Sequence, residues 1–207
     1  MHIRFVPLVQ HDTLQLETQS YTNQHHVSYS IDLFRCYISN LRLLKGDLIV
    51  WSSNSDFYLL DASKPASLKI QTAIPADIRF DSIRFTLGVD SMTNAGGVGG
   101  GALDPALGMY WAWHSGYINM KLEGRSPACT TRKQAFQYHL GGFLNGDACD
   151  QQLSLPVSPD SRAITIGIDL SLFFSNLDMA GTPAVMMPGL QSRALSVVAA
   201  RMFFVLP

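Results

Sequence analysis

The chain is poor in charge, in cysteine and in helical periodicity. Asp, Glu, Lys and Arg make up only 15% of its 207 residues, and the formal net charge is -1. With no basic excess to neutralise phosphates, nucleic acid is excluded as an expected partner. No polybasic run is present to hold an anionic membrane surface. No apolar run approaches the roughly 18 residues needed to cross a bilayer. The opening Met1-His2-Ile3-Arg4-Phe5-Val6 reads as a strand, without the charged and apolar regions of an export signal. The chain is therefore expected to be either cytosolic or a mature or trimmed form.

The usual catalytic motifs are missing as well. There is no Gly-x-Ser-x-Gly elbow for a serine nucleophile. The six histidines (His2, His11, His25, His26, His114 and His139) include no His-x₃-His or His-Glu-x-x-His spacing. The run Gly96-Gly97-Val98-Gly99-Gly100-Gly101 continues into Ala102-Leu103-Asp104-Pro105 rather than Lys-Ser/Thr and a helix, so it reads as a surface loop and not a phosphate cradle. Asp90 and Asp104 flank that loop, where turn and cap roles fit better than a calcium site. The expectation is a protein that is not an enzyme.

Cysteines number three, Cys36, Cys129 and Cys149. Cys129 and Cys149 lie in polar, turn-like sequence and form a candidate disulfide, which would need an oxidising compartment. The same pattern suits two free thiols equally. Cys36 sits in a strand pattern and reads as a buried, inert thiol.

What the sequence does have is apolar surface, 47% of residues, in short β-branched and aromatic runs cut by Gly, Pro, Asn and Asp. One domain over 1–207 is long enough to bury a large core. Residues 26–35 place Val27, Tyr29, Ile31 and Leu33 on one face by the period-two rule. Residues 48–52 and 57–60 read as short strands about a hairpin turn at Asn54-Ser55-Asp56. Residues 109–122 form the longest apolar-aromatic run. Helix is expected only near 190–201, with a short turn of helix near 170–176. The fold class is all-β, an antiparallel β-sandwich with one short C-terminal helix.

Two side chains in the long run stand out. Trp111 and Trp113 are two apart and share one side of a strand, a spacing that suits a core or the wall of a pocket. His139, in Phe136-Gln137-Tyr138-His139-Leu140, shares a face with Gln137 and opposes the apolar residues beside it. By spacing alone it reads as a surface or hydrogen-bonded core histidine.

Several segments, in order, are similar to one family. These are Tyr37-Ile38-Ser39-Asn40-Leu41-Arg42-Leu43; Leu60-Asp61-Ala62; Phe85-Thr86-Leu87-Gly88-Val89-Asp90-Ser91; and Leu103-Asp104-Pro105. They continue with Gly108-Met109-Tyr110-Trp111-Ala112-Trp113, Ser115-Gly116-Tyr117-Ile118, Lys121-Leu122-Glu123-Gly124 and Tyr138-His139-Leu140-Gly141-Gly142. The chain resembles the methanobactin-operon-associated (MbnP-like) family of periplasmic copper-binding proteins over most of its length. The resemblance implies a periplasmic or secreted β-sandwich that binds one copper ion. It also implies a partner, a diheme cytochrome-c-peroxidase-like enzyme that oxidises a tryptophan to kynurenine. Opening the indole leaves an aniline nitrogen and a ketone, which with histidine can hold copper; imidazole and low coordination suit Cu(I).

By that resemblance the metal-site candidates are His139, Trp111, Trp113 and His114. This chain departs from some relatives in having Trp at both 111 and 113 and Tyr58 where a histidine can stand. His114, by strand parity, faces away from the two indoles unless the strand bulges. The competing reading is a metal-free binding module whose aromatic strand (Tyr110, Trp111, Trp113, Tyr117), with Asn119 nearby, stacks on a glycan or peptide.

Overall fold

The computed structural model describes all residues except 54–56, 114–115, 145 and 160, and among the described residues alternating apolar and polar positions become fifteen strands. In chain order they are β1 (His2–Val9), β2 (Asp12–Thr13), β3 (Tyr21–Thr22), β4 (Ser28–Lys45), β5 (Leu48–Ser52), β6 (Phe57–Asp61), β7 (Lys69–Gln71) and β8 (Ser82–Leu87). Then follow β9 (Tyr110–Trp111), β10 (Gly116–Arg125), β11 (Ala135–Gly141), β12 (Gln151–Pro156), β13 (Ala163–Asp169), β14 (Ala184–Val185) and β15 (Phe203–Val205). Three short helices are α1 (Ser91–Ala95), α2 (Ser171–Phe174) and α3 (Leu190–Ala200). The last two fall where the sequence placed helix. α1 was not foreseen, although Asp90 caps it as a cap residue should, its Oδ1 accepting from the Thr93 N–H at 2.9 Å.

A small sheet runs β15-β13-β1-β2, with β7 also on β1, and a ten-stranded sheet runs β12-β8-β4-β10-β11-β14, with β3, β5 and β6 on β4 and β9 on β10. Between the sheets lies the main core, where Phe5 of the small sheet meets Phe85 of the large one edge-on at 6.2 Å. The sandwich is mainly antiparallel, but β1 runs parallel to β13, and β14 runs parallel to β11. β1 and β13 are far apart in sequence, so no hairpin fixes their relative direction.

β4 organises the large sheet. Its 18 residues exceed the reach of any single neighbour, so its two edges take five partners in succession, β3 among them at residues 28–29. On one edge β5 pairs with residues 42–45 and β6 with residues 35–39, both antiparallel to β4. The expected hairpin between β5 and β6 is thus corrected: the two strands follow one another along the same edge. The chain reverses instead at Gly46-Asp47, where Gly46 takes φ +56°. Residues 54–56, expected as the turn, lie outside the described residues.

On the other edge β10 pairs with residues 30–36 and β8 with residues 38–44, again in the same direction. Between them, at Tyr37, the chain leaves the sheet: the Gly88 N–H donates to the Tyr37 carbonyl at 2.8 Å, and residues 88–113 cross the outer face before β10 begins. The run 109–122, read from sequence as one strand, is a hairpin here, with Trp111 opposite Gly116 and Tyr110 opposite Tyr117.

Candidate functional site

The excursion of residues 88–113 shares a small core with the outer face of the large sheet: Tyr37, Val89, Leu103, Met109, Trp111, Tyr117 and Ile118. Asn94 ties its two ends together. The Asn94 Nδ2 donates to the Val89 carbonyl at 2.9 Å, and its Oδ1 accepts from the Tyr117 N–H at 2.8 Å. Phenol groups fix the glycine-rich part: Tyr37 donates to the Ala102 carbonyl at 2.9 Å, and Tyr117 donates to the Leu103 carbonyl at 3.0 Å while accepting from the Gly99 N–H. Burial pushes both phenol pKa values up, so both stay neutral donors. The glycine run is therefore an exposed surface strap tied down from beneath by the two phenols, with Gly101–Leu103 and Pro105–Leu107 as single 3₁₀ turns.

The strap delivers Trp111 to the end of β11. Trp111 is 5% exposed, and its six-membered ring lies where a Cβ on Gly141 would be, 2.8 Å from that position. Trp113, in the turn after β9, is 64% exposed and its ring centroid is 5.9 Å from that of Trp111, at an interplanar angle of 49°. The expectation that both indoles project from one strand is corrected: one is seated on the sheet and the other covers it from the turn. A cavity of about 170 Å³ opens beside Trp111, lined by Phe143, Leu144 and Pro188, with Asp147 as its charged group.

Below the apolar strap the same face of the sheet is charged. Registers align Asp61, Arg35, Lys121 and His139 directly across β6, β4, β10 and β11. Arg35 Nε is 2.9 Å from Asp61 Oδ2, and its Nη1 donates to the Leu107 carbonyl at 3.1 Å. Lys121 Nζ donates to the Gly108 carbonyl at 3.3 Å and lies 3.7 Å from Glu123 Oε1. The two cations thus hold the strap just before Met109-Tyr110-Trp111, where Gly108 turns the chain at φ +72°. Burial would raise the Asp61 carboxyl, but the Ser63 hydroxyl and amide and the Arg35 and Lys64 charges outweigh it and hold the pKa low.

His139 ends this row. It is 5% exposed, and its Nε2 lies 2.6 Å from Glu123 Oε1. That hydrogen bond, helped by Lys121, pulls the Glu123 carboxyl pKa below its usual range. Nδ1 of His139 carries no hydrogen bond among the described residues. His139 and Gly141 are two residues apart on β11, about 6.6 Å at strand rise, and share a face. The Trp111 ring is thereby placed two residues along β11 from His139, although the two are far apart in sequence.

His114 lies outside the described residues, so its expected place is not tested. Among the described residues no group of three or more His, Cys, Asp or Glu side chains is arranged to hold a metal ion. The donors at hand are the His139 imidazole and, were its ring opened, the Trp111 nitrogen. The candidate Cys129–Cys149 disulfide is corrected: both are free, buried thiols, as is Cys36. Cys129 donates to the Met179 carbonyl at 3.4 Å, while Cys149 packs against α3 with its Sγ 3.4 Å from Ser192 Oγ. The sites belong to different parts of the packing, and burial pushes every thiol pKa up.

Sequence reasoning missed Glu123, Lys121 and Arg35 as parts of the site. The alternation Lys121-Leu122-Glu123 marked a charged strand face but not its neighbours across the sheet. No helix among the described residues is long and apolar enough to cross a membrane.

No curated protein matches the chain. Among solved structures, MbnP from Methylosinus trichosporium is similar in fold, with a TM-score of 0.58 at 14% identity over 86% of this chain and 78% of that one. The MbnP family profile matches residues 1–187, which include every strand named above except β15, and with them the strap with Trp111 and Trp113, and His139. A family match over nine-tenths of its length places the chain in the MbnP family.

Proposed function

We propose that this protein binds a single copper ion, in the periplasm or after secretion, at a site made from His139 and a kynurenine derived from Trp111. The reading combines membership of the MbnP family, which points to a methanobactin-related, copper-associated protein, with one observation: Trp111 rests on Gly141, one side-chain step from His139 on the same face. The residues fit the metal. An imidazole nitrogen without a hydrogen bond is available, and a low donor count suits a soft monovalent ion. Intact indole is a poor ligand, so ring opening by a diheme cytochrome-c-peroxidase-like partner turns an apolar side chain into a donor. In this reading the protein is a substrate of the maturing enzyme and not itself a catalyst, and it serves copper acquisition or storage.

The test is copper content with intact mass, measured on protein exported with and without the diheme partner. Copper bound only by the partner-treated form, with the mass gain of a tryptophan-to-kynurenine conversion, supports the reading. Neither copper nor a mass change in either form overturns it.

The exposure of Trp113 keeps a second reading in play, an aromatic groove for a glycan or peptide. Its expected polar group is missing, because Asn119 is 2% exposed and its Oδ1 is taken by the Val89 N–H at 3.0 Å. Binding of an oligosaccharide array that is lost in Trp113→Ala would support this second reading.

A further inference from the structure

We propose that Glu123 is a positioning residue of the metal site, fixing His139 as the Nε2–H tautomer and so presenting Nδ1 as the copper-binding nitrogen. The inference rests on the copper reading above and adds to it which nitrogen binds and what holds the ring.

A neutral imidazole has one N–H and one lone pair, and the partner of one nitrogen decides the role of the other. An ionised carboxylate only accepts. Glu123 Oε1 is 2.6 Å from His139 Nε2, so that nitrogen carries the proton in the neutral ring and the lone pair lies on Nδ1. Only the lone pair can coordinate a metal. A carboxylate behind a ligating histidine orients the ring and raises its basicity.

The register supports the same assignment. Glu123 stands opposite Gln137, so its carboxylate reaches His139 from the side away from Gly141. The Trp111 ring lies over Gly141, on the other side. Lys121, directly opposite His139, is 3.7 Å from the same Glu123 oxygen and also donates to the Gly108 carbonyl. One lysine therefore links the group that orients His139 to the strap that carries Trp111. The His139 side chain is only 7% exposed, so water is a poor substitute for the carboxylate, while Glu123 is 27% exposed and leaves no sealed cavity when shortened.

Two measurements test this on wild type, Glu123→Ala, Glu123→Gln and His139→Ala, each checked for an unchanged far-UV spectrum. The first is the ¹⁵N signature of the His139 ring in the metal-free protein at mildly alkaline pH. Wild type should show a single Nε2–H tautomer and Glu123→Ala a mixture. Glu123→Gln, whose amide oxygen can still accept, should stay close to wild type. The second is competition for Cu(I) against a chromophoric chelator, using partner-treated protein. Glu123→Ala should bind about 10- to 100-fold more weakly, Glu123→Gln should lose less, and His139→Ala should lose most. An unchanged tautomer in Glu123→Ala overturns the proposal whatever the copper result. Copper affinity within twofold of wild type in Glu123→Ala, with His139→Ala impaired, also overturns it. Copper binding unaffected by His139→Ala overturns the copper assignment of His139 itself, and with it any metal role for Glu123.

Discussion

The six-membered ring of Trp111 occupies the space a side chain would take at Gly141, with Cζ3 2.8 Å from the position of a Cβ there. The same Cβ would also run into the Tyr117 carbonyl oxygen. Glycine is therefore required at 141 for packing: φ there is not among the positive values. Gly141→Ala should destabilise the protein by about 1–3 kcal/mol through overpacking and should shift the near-UV signal of Trp111. Equilibrium denaturation together with near-UV circular dichroism checks this. An unchanged midpoint would show that the indole is not seated on β11.

Trp111 and Trp113 differ in setting, 5% against 64% exposed, and Trp111 is the one seated on Gly141, two residues along β11 from His139. Peptide mapping of partner-treated protein should locate kynurenine at 111 and intact tryptophan at 113. Trp111→Phe should abolish both the mass gain and the copper binding. A modification confined to 113 would move the site to the exposed turn and remove His139 from it.

Asp61 gives the protein part of its acid sensitivity. Burial alone would raise its carboxyl, but Ser63, Arg35 and Lys64 together hold it below the ordinary value. A group depressed in the folded state stabilises above its unfolded pKa, about 3.9 for aspartate, and that contribution fades as pH falls through the lower folded value. Wild-type stability should therefore fall as pH drops below about 4, and Asp61→Asn should fall less steeply. At neutral pH the same variant should lose roughly 1–3 kcal/mol, because Arg35 loses a charged partner. Denaturant midpoints measured across this pH range decide the point.

Thiol titration should count three free cysteines in denaturant, since Cys36, Cys129 and Cys149 are unpaired. In the native protein the reaction should be slow, because all three are buried and their pKa values are raised. A count of one would restore the Cys129–Cys149 pair.

Much of the fold was legible because it is local. Period-two alternation gave most strands, apolar Ala-rich spacing gave α3, and Asp90 announced a cap. The expected turn at residues 54–56 misled because a turn-like composition does not say which strands pair. β5 and β6 both found the same edge of β4, whose 18-residue length no local signal conveyed. Period-two parity does not hold between Trp111 and Trp113 for a related reason: they do not share one strand, because the chain folds back after Trp111 to pack Tyr110, Trp111 and Tyr117 together on the sheet.

Of the site, the sequence alone determined its ingredients: an all-β chain, two tryptophans at close spacing, one histidine on the polar face of a strand, and no motif of any common catalyst. Those follow from residue type and period, which are properties of neighbours in the chain. Only the tertiary structure decided that Trp111 sits over Gly141, two residues along β11 from His139, that Glu123 holds the imidazole from the far side, and that Arg35 and Lys121 anchor the strap. Each of these depends on register across four strands. Register is set by the whole sheet closing on its core, because a slip of one residue would turn every outward charge inward.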